Sequence, residues 1–192
     1  LVNQTDNPVL RVFTNSGTSP TSVVFSITGS AAGCTSLPAP YNVVVNPLPV
    51  ISCAAAQSIC SGNATATTTV ISNVAGTSYS WTAVCPVGNV NPCPVAPGSA
   101  NPIPAVTFMN ATNNVQTVTY SITSSFNGCA GNTVTHDVII NPSPSVSNFP
   151  LEQTICSGST STLVNLTATV VGTTFTWTAS TISPISGFTA SG

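Results

Sequence analysis

The chain has 192 residues, and only 2% of them are charged: Arg11, Asp6, Asp137 and Glu152, beside one histidine, His136. Ordinary soluble chains carry about 25% charged residues, so this surface excludes phosphate-based binding of nucleic acid, which needs several Lys or Arg, and charge-driven docking on anionic lipid. Mean hydropathy is positive, but Thr, Ser, Pro or Gly interrupts every apolar cluster, so no run reaches the roughly 18–20 residues of a bilayer span, and the wealth of Val, Ile and Thr argues against disorder.

The chain starts at Leu1 without an initiator Met or a signal peptide, as expected of a processed product or a window on something longer. The first predicted strand is "VVFSIT" (23–28), followed by Gly-Cys at 33–34 and "NPLP" at 46–49. "QSICSG" (57–62) precedes a strand over 64–72, "ATATTTVIS". In "SYSWTA" (78–83), Tyr79, Trp81 and Ala83 point one way and Ser78, Ser80 and Thr82 the other, the period-two pattern of a half-buried strand. A long Pro-rich loop, 84–102, leads to a further strand over 103–109. In "QTVTYSIT" Val118, Tyr120 and Ile122 share a face; after the Asn-Gly-Cys turn, Val134, His136, Val138 and Ile140 share one in "TVTHDVII". "NPSP" (141–144), "QTICSG" (153–158) and "GTTFTWTA" (172–179) close the series. No stretch shows convincing helical periodicity.

These elements recur. "QTICSG" repeats "QSICSG" at 153 − 57 = 96, and at the same offset Trp177 falls on Trp81 and Phe175 on Tyr79. "VTYSIT" repeats "VVFSIT" at 118 − 23 = 95, as "NPSP" repeats "NPLP" at 141 − 46 = 95. The opening marks occur in the second and third copies and the closing marks in the first and second. Residues 1–50 therefore read as the C-terminal half of a repeat, 51–146 as a whole one and 147–192 as the N-terminal half of a further one. The predicted fold is all-β: tandem antiparallel Ig-like β-sandwiches of about 95 residues, joined into an extended rod by Pro-x-Pro segments that fix φ and extend the chain. A segment of a long array is the simplest source of such a cut. The sharper alternative is that the front half of one molecule completes the back half of the next by strand donation.

Seven cysteines in a lysine-free β sequence favour an oxidising, extracellular setting. A Cys60–Cys129 bridge is expected within the whole repeat. Its 69-residue spacing would put the partners of Cys34 and Cys156 at positions −35 and 225, outside the chain. Cys85 and Cys93 flank "PVGNVNP" and are replaced together by Thr181 and Thr189 in the third copy, which favours a local staple. Cys53, replaced by Phe149, reads as a buried apolar residue, with bonding to Cys34 or to another chain as the alternative. There is no CxxC, and the one His sits on a strand, so no metal site and no cofactor are expected. His136 and Asp137 are adjacent on that strand and face opposite sides, which rules out a catalytic pair. Trp81, Trp177, Tyr79, Phe175 and Tyr120 are expected in sandwich cores rather than on a sugar-stacking platform. The sequons at Asn63, Asn110 and Asn165 need no explanation beyond chance in so Asn- and Thr-rich a chain.

The ICSG opening, the Gly-Thr-x-Tyr/Phe-x-Trp-Thr strand, the V-T-Y-S-I-T strand, the Asn-Gly-Cys turn and the closing V-x-V-N-P-x-P together resemble the PKD-like, Ig-type repeats of giant secreted surface proteins of Bacteroidota. The SprB-type gliding-motility adhesins exported by the type IX secretion system are of this kind. The resemblance implies a non-enzymatic stalk or filament of an extracellular cell-surface adhesin. Its expected partners are neighbouring repeats of the same long chain or other copies of itself, with no nucleic acid and no membrane insertion. Ordinary PKD domains carry an acidic W-D-F-G-D stretch; here "WTAV" and "WTAS" stand instead, and the acidic cluster is missing. The alternatives are a carbohydrate-binding module contacting a surface polysaccharide through loop 84–102, or the accessory stalk of a secreted enzyme.

Overall fold

The computed structural model describes residues 11–94, 96–148, 152–180 and 185–189; Asp6, Phe149 and Thr181 lie outside them. The described residues form twelve strands and no helix. A first hairpin is made by β1 (Thr21–Ile27) and β4 (Ala39–Val45), with β2 (Ser30–Ala31) and β3 (Cys34–Thr35) forming its tip. Then come β5 (Ile51–Cys53), β6 (Gln57–Cys60), β7 (Val70–Ser72), β8 (Ser78–Val84), β9 (Val90–Asn91) and β10 (Met109–Asn110). A long hairpin, β11 (Gln116–Phe126) and β12 (Cys129–Asn141), completes the set.

Residues 51–141 make a two-layer sandwich. One layer is the four-stranded sheet β6-β12-β11-β8, in which β6 runs parallel to β12 and the other pairs are antiparallel. The other layer is β5 with β7, β9 with β10, and bridges joining Thr68 to Ile103 and Ala64 to Thr107. The strands expected over 64–72 and 103–109 are thus broken into bridges. Pro102 and Pro104 donate no ladder hydrogen bond, and the Thr65 hydroxyl takes over part of the pairing by accepting from Val106 N–H at 2.9 Å. Side chains alternate as the sequence pattern requires. Trp81, Val118, Tyr120, Ile122, Val138 and Ile140 face Ile51, Val70, Val90, Ile103 and Phe108 across the core. Phe108 and Ile122 are fully buried, each contributing about 1.5–3 kcal/mol of transfer free energy.

The β11–β12 hairpin turns at Asn127 and Gly128, with φ of 47° and 80°. Both residues of a type I′ turn need positive φ, which Asn and Gly tolerate best. The tip of the first hairpin has the same geometry at Ala32 and Gly33, with φ of 50° and 81°, although alanine is poorly suited to it.

The half-units repeat the local bonding of the sandwich. The Gln57 amide clasps Ala66 through Oε1 and Nε2 at 2.8 and 3.1 Å, and Gln153 clasps Thr162 in the same way at 2.9 and 3.0 Å. Asn110 Nδ2 donates to Asn114 O and Ile140 O, and Asn15 Nδ2 to Ser19 O and Val45 O. Beyond Asn141, however, the described residues hold no strand; isolated bridges occur there, among them Val146–Ala168.

Candidate functional site

His136 is buried and fully engaged. Its Nδ1–H donates to Ala54 O at 3.1 Å, leaving Nε2 to accept from the Thr68 hydroxyl at 3.1 Å, with Gln57 Nε2 3.5 Å away. Asp137 points to the other face, where its carboxylate accepts from the Thr119 hydroxyl at 2.6 Å. The two therefore cannot work as a relay, and each is explained by the sheet it stabilises. Among the described residues no group of three His, Cys, Asp or Glu side chains is placed to hold a metal ion. Among the described residues no buried side-chain polar atom lacks a partner.

Trp81 lies beneath loop 84–102. Its backbone exchanges hydrogen bonds with Gly98 at 2.8 and 2.9 Å, and its indole Nε1–H donates to Ala100 O at 3.2 Å. The ring meets Tyr120 edge-on, with centroids 5.6 Å apart. A Cβ on Gly98 would sit 2.0 Å from Trp81 Cζ2, so the loop closes onto the indole only because residue 98 has no side chain. Trp81 is only 8% exposed and so offers no open face for a sugar to stack on. The same loop is pinned by the Cys85–Cys93 disulfide, with Cα atoms 6.0 Å apart. Asn101 pins it too, exchanging two hydrogen bonds with the Val70 backbone at 2.9 and 2.8 Å.

The expected Cys60–Cys129 bridge does not form; both cysteines are free. Cys60 is paired with Asn141 at one end of β12, and Cys129 begins the same strand at the other. A strand of 13 residues at about 3.3 Å each puts them roughly 40 Å apart, far beyond the Cα separation a disulfide tolerates. Cys34, Cys53 and Cys156 are also free. Cys53 is half-buried, with its thiol 3.6 Å from Thr135 O, and burial pushes that thiol up from its ordinary pKa.

The core placement of Phe175 and Trp177 also needs correction. Tyr79 and Tyr120 pack in the core, and burial raises the Tyr120 phenol. Trp177, by contrast, is 43% exposed where Trp81 is 8% exposed, and Phe175 is half-buried. The cover over Trp81 comes from Gly98, Ala100 and β11. At offset 96, Gly98 would correspond to position 194, beyond this sequence.

The most organised feature outside the core is the joint at 46–50. Pro47 and Pro49 are fully buried. Pro49 O accepts from Asn132 N–H at 3.2 Å, and Asn132's amide exchanges hydrogen bonds with Ile51 at 2.6 and 3.0 Å. Val50 and Asn73 are tied by two more, at 2.8 and 3.2 Å. Gly131 makes the approach possible, since its Cβ would lie 2.1 Å from Pro49 O. The corresponding Pro144 is exposed, because nothing in this sequence follows it to supply a second Gly131 and Asn132. Reading the sequence missed Gly98, Gly131, Asn101 and Asn132. Only the Gln57 and Asn110 clasps left a signal, in the recurrence of Gln153 and Asn15 at the repeat offset.

No curated protein matches the chain. Residues 57–144 match the family model described as a PKD-like domain, and they fold as the β6-to-β12 sandwich; this central unit is thus similar to a generic Ig-like structural module of extracellular proteins, a type that is typically non-catalytic.

Proposed function

We propose that the chain is a non-catalytic structural segment of an extracellular cell-surface adhesin or filament, made of a back half-unit (1–50), a whole unit (51–146) and a front half-unit (147–192). The joint at 46–50 carries this reading. Buried prolines and the Asn73 and Asn132 clamps fix the direction in which one unit enters the next, as a rod requires and a loose string of binding modules does not. The near-absence of charge and the PKD-like match over 57–144 support the same role. The resemblance to the SprB-type repeats supports the finer assignment, a gliding-motility adhesin exported by type IX secretion and acting at the cell surface.

Immunogold labelling of intact producing cells with antibody to residues 51–146 tests this. Label should follow thin beaded filaments with a repeat of about 40 Å, the length of β12, and should be lost from the surface when type IX export is disabled. Label that appears only after permeabilisation would rule the reading out.

A further inference from the structure

We propose that Gln57, Thr68 and His136 form a self-reacting site, in which the Thr68 hydroxyl attacks the Gln57 side-chain carbonyl carbon, releases ammonia and leaves an ester cross-link inside the central unit. The reaction occurs once per chain and is independent of the filament reading. Burial in the sheet explains why His136 needs partners; it does not explain which partners it has. Its Nδ1–H donates to Ala54 O at 3.1 Å, which leaves Nε2 as the acceptor. The Thr68 hydroxyl donates to that nitrogen at 3.1 Å. A hydroxyl bonded to an imidazole whose other nitrogen is held by a third group is the arrangement that activates a nucleophile. Gln57 supplies the electrophile, with its Nε2–H donating to Thr68 Oγ1 at 2.9 Å.

The local fold does not require this trio. At offset 96 Gln153 clasps Thr162 as Gln57 clasps Ala66, but Val164 stands where Thr68 does, and at offset 95 Tyr41 stands for His136. The clasp therefore forms without a hydroxyl or an imidazole beside it. Thr68 is 4% and His136 3% exposed, and burying polar groups is costly where an apolar residue would pack. Gln57 is only half-buried, which gives ammonia a way out.

The step balances within the chain. His136 Nε2 takes the Thr68 proton as Oγ1 bonds Gln57 Cδ. The carbonyl electrons move onto Oε1, where the Ala66 N–H, 2.8 Å away, stabilises the developing charge. The Cδ–Nε2 bond then breaks. Gln57 Nε2 lies 3.5 Å from His136 Nε2, so the imidazolium returns its proton to the leaving nitrogen. Ammonia departs, neutral imidazole is restored and no co-reactant is consumed. The Thr68 hydroxyl meets the edge of the amide, through Nε2–H; the terminal torsion of a glutamine is broad, so a turn about it presents the face of the carbon. Holding both groups in one structure is worth an effective molarity of about 10⁵ M or more, and the buried position shields the ester from water. Gln57 belongs to the four-stranded sheet and Thr68 is bridged to Ile103 in the other layer, so the ester joins the two layers of the sandwich.

Mass spectrometry of the full-length chain, folded, incubated and then reduced, tests this. The chain should be lighter than its sequence by one ammonia, and tandem spectra should place the loss between residues 57 and 68, in a loop that hydroxylamine opens. Thr68→Ser keeps the hydroxyl and should retain the loss. Thr68→Val should abolish it, and His136→Gln should slow it by about 100-fold or more, while Trp81 emission stays that of a buried indole. A parent chain at full sequence mass after prolonged incubation, an ammonia loss that persists in Thr68→Val, or hydrolysis of Gln57 to a glutamate in place of the cross-link would each overturn the proposal. Full mass in a chain that still labels surface filaments would leave the stalk reading standing and defeat only the ester.

Discussion

Replacing Gly131 by alanine probes the clamped joint. The new Cβ would fall 2.1 Å from the Pro49 carbonyl oxygen, 2.3 Å from Ser124 Oγ and 2.7 Å from Pro49 Cγ. The Ser124 hydroxyl can rotate away. Pro49 cannot, because its ring fixes φ and its neighbours Val50 and Ile51 are tied to Asn73 and Asn132. Two responses remain. The segment lifts off β12 and loses three hydrogen bonds to Asn132, at about 1 kcal/mol each, or it stays and overpacking costs about 1–3 kcal/mol. The lower freedom of alanine in the unfolded chain offsets about 0.4–1 kcal/mol. At the middle of these ranges the net loss is about 1.3 kcal/mol, a fall in Tm of roughly 5–10 °C for a unit of this size. Thermal and urea unfolding followed by fluorescence in a Trp177→Phe background, where Trp81 alone reports, measures it. Asn132→Ala should cost a comparable amount by removing the clamp without a clash. An unchanged or raised midpoint in Gly131→Ala would refute the reasoning, since Pro49 would then not be held against β12.

Reduction of Cys85–Cys93 releases a loop with a separation of eight residues and should lower stability by about 2.5 kcal/mol on the chain-entropy estimate, read as a drop in the urea midpoint with dithiothreitol. Gly98→Ala should lift the loop from Trp81 and shift its emission to the red; emission identical to that of the parent chain would show that the loop does not seal the indole. Ala32→Asn replaces a residue strained at positive φ by one that tolerates it and should protect the tip of the first hairpin by about 1 kcal/mol, measured by hydrogen exchange. Burial raises the pKa of both Cys53 and Tyr120, so each stays neutral in the folded chain at pH values where the unfolded chain ionises. That stability is complete below the unfolded values and is lost as pH climbs past about 8.5 for the thiol and about 10 for the phenol. Urea midpoints between pH 8 and 11 should fall in the parent and fall less in Cys53→Ala with Tyr120→Phe.

The fold was legible where side chains alternate against a single core. Tyr79, Trp81, Val118 and Ile140 declare their strands because burial on one face imposes period two. The broken second layer was not legible, since its pairing passes through prolines and the Thr65 hydroxyl rather than through pattern. The Cys60–Cys129 expectation failed because spacing along a sequence carries no direction. β6 runs parallel to β12 and carries Cys60 to the opposite end of that strand from Cys129. Trp177 failed differently. Its local pattern is that of a core residue, but burial is a property of what covers it, and the covering strands have no counterpart after it in this sequence. The close approaches at Gly98 and Gly131 depend on contacts distant in the chain and leave no local mark.

The parallel pairing of β6 with β12 has a mechanical consequence. These are the first and last strands of the four-stranded sheet, and they lie side by side, with Val138 opposite Gln57 and Asn141 opposite Cys60. In the filament proposed above, tension would pull β6 towards its start and β12 towards its end, in opposite directions. Hydrogen bonds that run across the strands are then loaded in shear, all at once, instead of being peeled one after another from an end. Resistance to forced unfolding is set by the rate of crossing that barrier rather than by net stability. The unit is therefore wired to hold when pulled, even with a core of modest size and no salt bridges among its described residues.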